Sequence, residues 1–230
     1  MKVDTYYYKA RLFPTVITSI PLFVFVIQVL KPLYGESLKK IFDILPMLTS
    51  LGIYAGLVFL SVQINRFVSK EIFQRFFFKE DINMPTTNYL LWSNEFFAID
   101  TKKAIREKIF SSFNITLLSP TEEQHEDLRA RNLIVHAVSQ IKNKLRDNRV
   151  LFQHNIEYGF IRNLLGGSLI AIFFSIAILV FALIQSDLIL RNTGIILLIV
   201  YLLPIAFCGV LISRYGKYYA KVLYEQFMTL

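Results

Sequence analysis

Residues 163–186 read NLLGGSLIAIFFSIAILVFALIQS, an uncharged run long enough to cross a bilayer. A spanning helix needs about 20 mainly apolar residues to cover a hydrocarbon core of roughly 30 Å. Working outward, residues 192–213 (NTGIILLIVYLLPIAFCGVLIS) repeat the pattern close behind, and two further uncharged runs, 12–30 and 44–65, lie near the start. Lipid offers no partner to exposed backbone groups, so only helices or closed barrels span, and continuous runs of this length favour helices. The expectation is an all-α membrane protein with four transmembrane helices in two pairs flanking a helical cytoplasmic insert. Residues 1–65 hold the first pair with its N-terminal tail, 66–162 the insert, and 163–230 the second pair with its C-terminal tail.

The composition agrees: 54% of the residues are hydrophobic and 18% charged, against about 25% charged in soluble proteins. Lys2, Lys9 and Arg11 resemble the basic start of a signal peptide, but no small-x-small cleavage site precedes Lys31, which favours a retained helix. The insert carries fifteen of the 25 basic residues, and Arg214, Lys217 and Lys221 follow the last apolar run. With four spans these segments and the N-terminal tail share one side, which the positive-inside rule makes the cytoplasm. Lys31, Lys39 and Lys40, in the first hairpin loop, dissent. The one cysteine, Cys208, excludes an internal disulfide and a cysteine-based metal site.

No Asp, Glu, Lys, Arg or His interrupts the four cores, which argues against a proton-coupled transporter. A channel needs only polar lining or apolar gates, and the candidates are Thr15, Thr18, Ser19 and Gln28 in the first span, then Thr49, Ser50, Gln63 and Asn65 in the second. Asp43 either forms an acidic ring at a pore mouth or simply starts a helix. Gly52 and Gly56 make a GxxxG pair for close helix packing, within the chain or between subunits. Four spans enclose no generous pore alone, so a channel requires a homo-oligomer, with a tetramer favoured.

In the insert, Ser119-Pro120-Thr121-Glu122 combines an N-cap, a proline at the first helical position and a capping-box acid. The apolar stripe Leu128, Ile134, Val138, Ile141 and Leu145 then predicts one amphipathic helix over 121–148, and Ile105, Ile109, Phe110 and Phe113 predict another over 100–113 with Asp100 or Thr101 as its cap. Lys142, Arg146 and Arg149 fall at i, i+4 and i+7 of the long helix, with Lys144 beside them. Such a face engages phosphates; equally, it complements a helix C-terminus or meets anionic lipid. Arg131 and Arg106 are further phosphate candidates, as are Arg129, Lys102 and Lys103. His125, His136 and His154 are too dispersed for a metal pattern, and no nucleophile or phosphate-loop motif occurs, so the expectation is no cofactor, no metal and no catalysis.

Three segments carry a resemblance: Tyr6-Tyr7-Tyr8-Lys9-Ala10-Arg11-Leu12-x-Pro14, Asn83-Met84-Pro85-Thr86-Thr87 and Asn155-Ile156-Glu157-Tyr158-Gly159-Phe160-x-Arg162-Asn163-Leu164. With the layout of the whole chain, they resemble the four-span membrane effectors of bacterial anti-phage nucleotide signalling, of the cyclic-oligonucleotide (CBASS) or Hailong type. The resemblance implies an oligomeric ion channel gated by an oligonucleotide that a partner nucleotidyltransferase makes, ending in membrane depolarisation and abortive infection. In the Hailong type the ligand would be single-stranded oligodeoxyadenylate. The alternative is a non-conducting anchor that docks a cytosolic partner or disrupts the bilayer.

Overall fold

The computed structural model describes residues 5–35, 53–79 and 81–230. Among them every regular element is helical: α1 (Tyr7–Gly35), α2 (Ile53–Val68), α3 (Pro85–Asn88), α4 (Ile99–Phe113), α5 (Pro120–His125), α6 (Asp127–Lys144), α7 (Arg149–Gln185), α8 (Leu188–Ala206) and α9 (Cys208–Met228). A π-helical segment, Ser69–Gln74, and a last turn, Arg75–Phe78, follow α2. The chain divides into two compact units: Met1–Phe73 with Gly159–Cys208, and Gln74–Tyr158 with Gly209–Leu230. The C-terminal segment, which the sequence groups with the last span, thus folds with the insert. Its apolar side, Leu223, Tyr224 and Phe227, is fully buried there.

Three helices, α1, α7 and α8, are long and apolar enough to cross a membrane. The predicted span 44–65 begins outside the described residues, and its described part lies in α2, a helix of 16 residues that runs on to Val68. The predicted span 192–213 is displaced. Its helix starts four residues earlier, where the Asp187 carboxylate accepts from the backbone N–H of Leu190 at 2.9 Å, and it takes in Arg191. It contains Pro204, stops at Ala206, and α9 begins at Cys208.

The first unit shows how prolines are accommodated in an apolar helix. In an α-helix, residue 14 would donate to the carbonyl of Ala10 and residue 21 to that of Ile17, and both are proline. The two released carbonyls are claimed by distant side chains. The amide of Asn163, from α7, donates to Ala10 at 2.6 Å, and the Tyr201 hydroxyl, from α8, donates to Ile17 at 2.6 Å. Leaving either carbonyl unpaired in an apolar environment is costly, so these two bonds fix α1 against its neighbours. A small-residue seam completes the packing. A side chain on Gly166 would place its Cβ 2.8 Å from the Cα of Ser69, and one on Gly167 would lie 2.8 Å from the Cβ of Thr18.

The second unit buries Ile105 and Ile109 of α4, Ile134, Val138 and Ile141 of α6, and Leu223, Tyr224 and Phe227 of α9 in one core. The capping box at Ser119 forms as expected: its hydroxyl accepts from the Glu122 N–H while its own N–H donates to the Glu122 carboxylate at 2.8 Å. The single helix expected over 121–148 does not form. It breaks at Glu126 (φ −126°, ψ 50°) and ends at Lys144. Asn148 terminates it by capping the next helix, accepting from the N–H of Leu151 at 2.9 Å and donating to Gln226 at 2.7 Å. Leu128 and Phe110, expected in the core, are 63% and 53% exposed. The cap expected at Asp100 or Thr101 is also displaced: α4 starts from Ala98 without a side-chain cap.

Candidate functional site

The cations of the second unit divide into those the fold consumes and those it leaves outside. Lys102 and Arg106, one turn apart on α4, are buried. The Lys102 ammonium donates to the carbonyls of Leu91 and Trp92, each at 3.0 Å, and to that of Asn94. Arg106 donates to Leu90 at 2.6 Å, to Leu118 at 2.7 Å and to the carboxylate of Glu123 at 3.2 Å, with its guanidinium 4.3 Å from the Trp92 ring centre. Glu123 accepts in turn from the N–H of Trp92 at 2.6 Å. Burial pushes the Lys102 ammonium below the ordinary lysine value, opposed by the nearby Glu123 carboxylate. Arg106 therefore faces no ligand-accessible surface, a correction to its reading as a phosphate contact. It fastens the 89–98 loop to α4 and α5.

Arg131 is also engaged. It pairs with Asp127 at 2.9 Å and donates to Asn88 at 2.7 Å and Asn83 at 3.2 Å, holding the Asn83-Met84-Pro85-Thr86-Thr87 turn. The same turn is held from α9, where the buried Tyr224 hydroxyl donates to the carbonyl of Thr86. Burial raises that phenol well above its ordinary value, which keeps it a donor.

The predicted Lys142, Arg146 and Arg149 face is dismantled by the early end of α6. Lys142 lies half-buried with its ammonium 5.9 Å from the Tyr219 ring centre, and burial lowers its pKa. Lys144 sits 5.6 Å from the Phe113 ring centre and 3.4 Å from the Ser112 hydroxyl. Arg146 occupies the turn after α6, and Arg149 opens α7. Both are exposed.

A second basic surface lies on α9. Arg214, Lys217, Tyr218 and Lys221 recur at helical spacing on the side opposite Leu223 and Phe227, and with Phe96 they line a cavity of about 650 Å³. The Arg214 guanidinium lies 5.7 Å from the Tyr218 ring centre. In the sequence these cations bear on topology, as basic residues that follow the last apolar run. The i, i+3, i+4, i+7 recurrence was the signal for a shared face. Phe96 had no local signal, since its place depends on stacking against Tyr89 with ring centres 3.8 Å apart.

Of the pore candidates, Thr15 and Asn65 are buried against each other, the Asn65 amide donating to the Thr15 hydroxyl at 2.8 Å. The Ser19 hydroxyl donates to the carbonyl of Thr15 at 2.7 Å within α1. Gly56 has no atom within 4 Å of the position a side chain would take. Asp43, Thr49, Ser50 and Gly52 lie outside the described residues. His125 and His136 line one shallow cavity of about 620 Å³ with Glu126, Asp127 and Asn132. Among the described residues no three metal-ligating side chains converge. The chain matches no protein-family model, no curated protein and no solved structure.

Proposed function

We propose that the protein is a four-span helical effector of the bacterial inner membrane with both termini and the insert in the cytoplasm. In this reading it assembles as a homo-oligomer, a tetramer, and conducts ions when its cytoplasmic unit binds an oligonucleotide made by a partner nucleotidyltransferase in anti-phage defence. The observation that carries the ligand class is the α9 cavity. It joins three exposed cations, Arg214, Lys217 and Lys221, to two aromatic rings, Phe96 and Tyr218. Cations hold phosphates and aromatic rings stack bases, the combination by which single strands are bound without sequence readout. Arg146 and Arg149 add exposed charge that the unit's own core does not use.

The test is ion flux across liposomes bearing the full-length protein, before and after adding single-stranded oligodeoxyadenylate. Flux should appear with the oligonucleotide, and binding in detergent should weaken with salt at a log–log slope of about −0.7 per phosphate contact. Reversing charge at Lys217 and Lys221, or at Arg146 and Arg149, should abolish binding while the oligomer stays intact. One observation favours a second reading, a non-conducting membrane anchor for a cytosolic partner: Thr15 and Asn65 satisfy each other inside the protomer. Oligonucleotide binding without any flux would select that reading, and no binding at all would remove the ligand.

A further inference from the structure

Over residues 195–210 every exposed residue is apolar, and the next exposed residues along the chain are Arg214, Lys217, Tyr218 and Lys221. The run is continuous in the chain: only Phe207 separates α8, which is long and apolar enough to cross a membrane, from α9. The change of polarity falls inside the α9 cavity. Gly209 and Val210 line one end of it and Arg214, Lys217 and Lys221 the other, with Phe96 also in the wall. Val210, 64% exposed, and Arg214 are one helical turn apart, about 6 Å along the axis. The three cations are not equivalent. Lys221 lies 3.7 Å from the Glu225 carboxylate. The Arg214 guanidinium donates to the Tyr218 hydroxyl at 3.4 Å, which uses one of its five N–H groups. Along the helix, Arg214 and Lys217 are the cations nearest the apolar end.

An oligonucleotide accounts for the basic end of this cavity but leaves Gly209 and Val210 without a role. A molecule that is anionic at one end and hydrocarbon at the other accounts for both. Guanidinium and ammonium groups bind phosphate oxygens, while Val210 and Phe96 offer apolar surface to an acyl chain. Tyrosine, arginine and lysine collect at the depth where lipid phosphates lie. We propose that the α9 cavity binds an acidic phospholipid, with its phosphate on Arg214 and Lys217 and the start of an acyl chain along Gly209 and Val210. A zwitterionic lipid carries its own cation beside the phosphate, which the cluster repels, so the site selects net negative charge. One consequence rests on the oligonucleotide reading of the same cavity: the two ligands share Arg214 and Lys217 and exclude one another. Bound lipid then sets how much oligonucleotide the site requires.

Native mass spectrometry of the full-length protein, delipidated in a neutral detergent, measures the lipid retained per chain as lipid is titrated. Phosphatidylglycerol should be retained at concentrations where phosphatidylcholine is not. Arg214→Gln and Lys217→Gln should each weaken its retention about tenfold, for one lost charge-assisted contact. Both altered residues are exposed, so folding is not at stake. Lys103→Gln, which removes an exposed cation of α4, should change nothing. Equal retention of the two lipids, or unchanged phosphatidylglycerol affinity when Arg214→Gln and Lys217→Gln are combined, overturns the site. Glycerophosphoglycerol, the headgroup without acyl chains, separates the sources: binding as tight as that of the lipid overturns the lipid and identifies a free phosphate compound. Binding of single-stranded oligodeoxyadenylate is then measured in the same detergent with and without phosphatidylglycerol. Weaker binding in the presence of the lipid establishes the competition, and unhindered binding overturns it. Oligodeoxyadenylate that fails to bind even without lipid removes the oligonucleotide reading, and the retention data then decide the lipid site by themselves.

Discussion

Both units tie distant segments together by giving backbone carbonyls to side-chain donors, and they use different donors. In the second unit, Lys102 and Arg106 are met by Glu123 and by five backbone carbonyls, four of them in the 89–98 loop. In the first unit, which carries the long apolar helices α1, α7 and α8, the carbonyls of Ala10 and Ile17 are met by the neutral amide of Asn163 and the neutral hydroxyl of Tyr201. A neutral donor brings no charge into an apolar environment, whereas a buried cation needs a counter-charge such as the one Glu123 provides.

The sharpest way to break the comparison is to remove the counter-charge where it exists. Glu123→Ala strips Arg106 of its carboxylate and leaves the Trp92 N–H unpaired, so the cation stays buried without the charge that meets it. Breaking a buried pair from one side costs about 3–5 kcal/mol, a large part of the roughly 5–15 kcal/mol that holds a typical domain. Trp92, the chain's one tryptophan, packs on Arg106 and reports the loss directly. Its fluorescence should already be that of an exposed indole, or become so at much lower denaturant. Unchanged unfolding would mean the network is not the fastener its bonds describe.

A smaller effect sharpens the same point within two adjacent residues. Lys102→Met leaves the carbonyls of Trp92 and Asn94 without the ammonium that donates to them, and that of Leu91 with the Asn94 N–H alone, and should cost about 1–3 kcal/mol. Lys103→Met removes an exposed charge and should stay within about 0.5 kcal/mol of wild type. The pair measures how much burial multiplies the worth of one lysine, by the same Trp92 signal.

The sequence carried the apolar runs at α1, α7 and α8, the helical insert and its capping box, because each is written in neighbouring residues. It placed Ile134, Val138 and Ile141 inside correctly, since one apolar stripe at helical spacing has few other uses. It misplaced Arg106, whose burial depends on Glu123 17 residues along and on Leu90 16 residues back. The donors that meet the carbonyls released by Pro14 and Pro21 were not legible. Tyr201 lies 184 residues from Ile17, and Asn163 lies 153 from Ala10. The phosphate face failed for a related reason: helical spacing was extended past Lys144, where Asn148, paired with Gln226 78 residues away, starts another helix. The α9 face was written in its spacing yet overlooked, because basic residues after an apolar run have an ordinary explanation as anchors.

The smallest effect comes from the neighbour of Glu123. Glu122 is an exposed carboxylate bound by the Ser119 backbone N–H and hydroxyl, and those bonds hold it below the ordinary carboxylate value, the backbone bond first. Ser119→Ala removes the hydroxyl and should cost about 1 kcal/mol of the second unit's stability. The pH dependence has a definite sign. A group whose pKa is depressed by folding stabilises the folded state above its unfolded value, about 4.3 for glutamate, and loses that contribution as pH falls through the folded value. Wild type should therefore be more stable than Glu122→Gln at pH 7, with the gap closing on acidification below about pH 4.3. Denaturant midpoints of the two proteins, read by Trp92 fluorescence across that range, give the difference free of every other titrating acid. A gap that stays constant with pH would mean that the Glu122 charge contributes nothing, and that the box acts through the Ser119 hydroxyl alone.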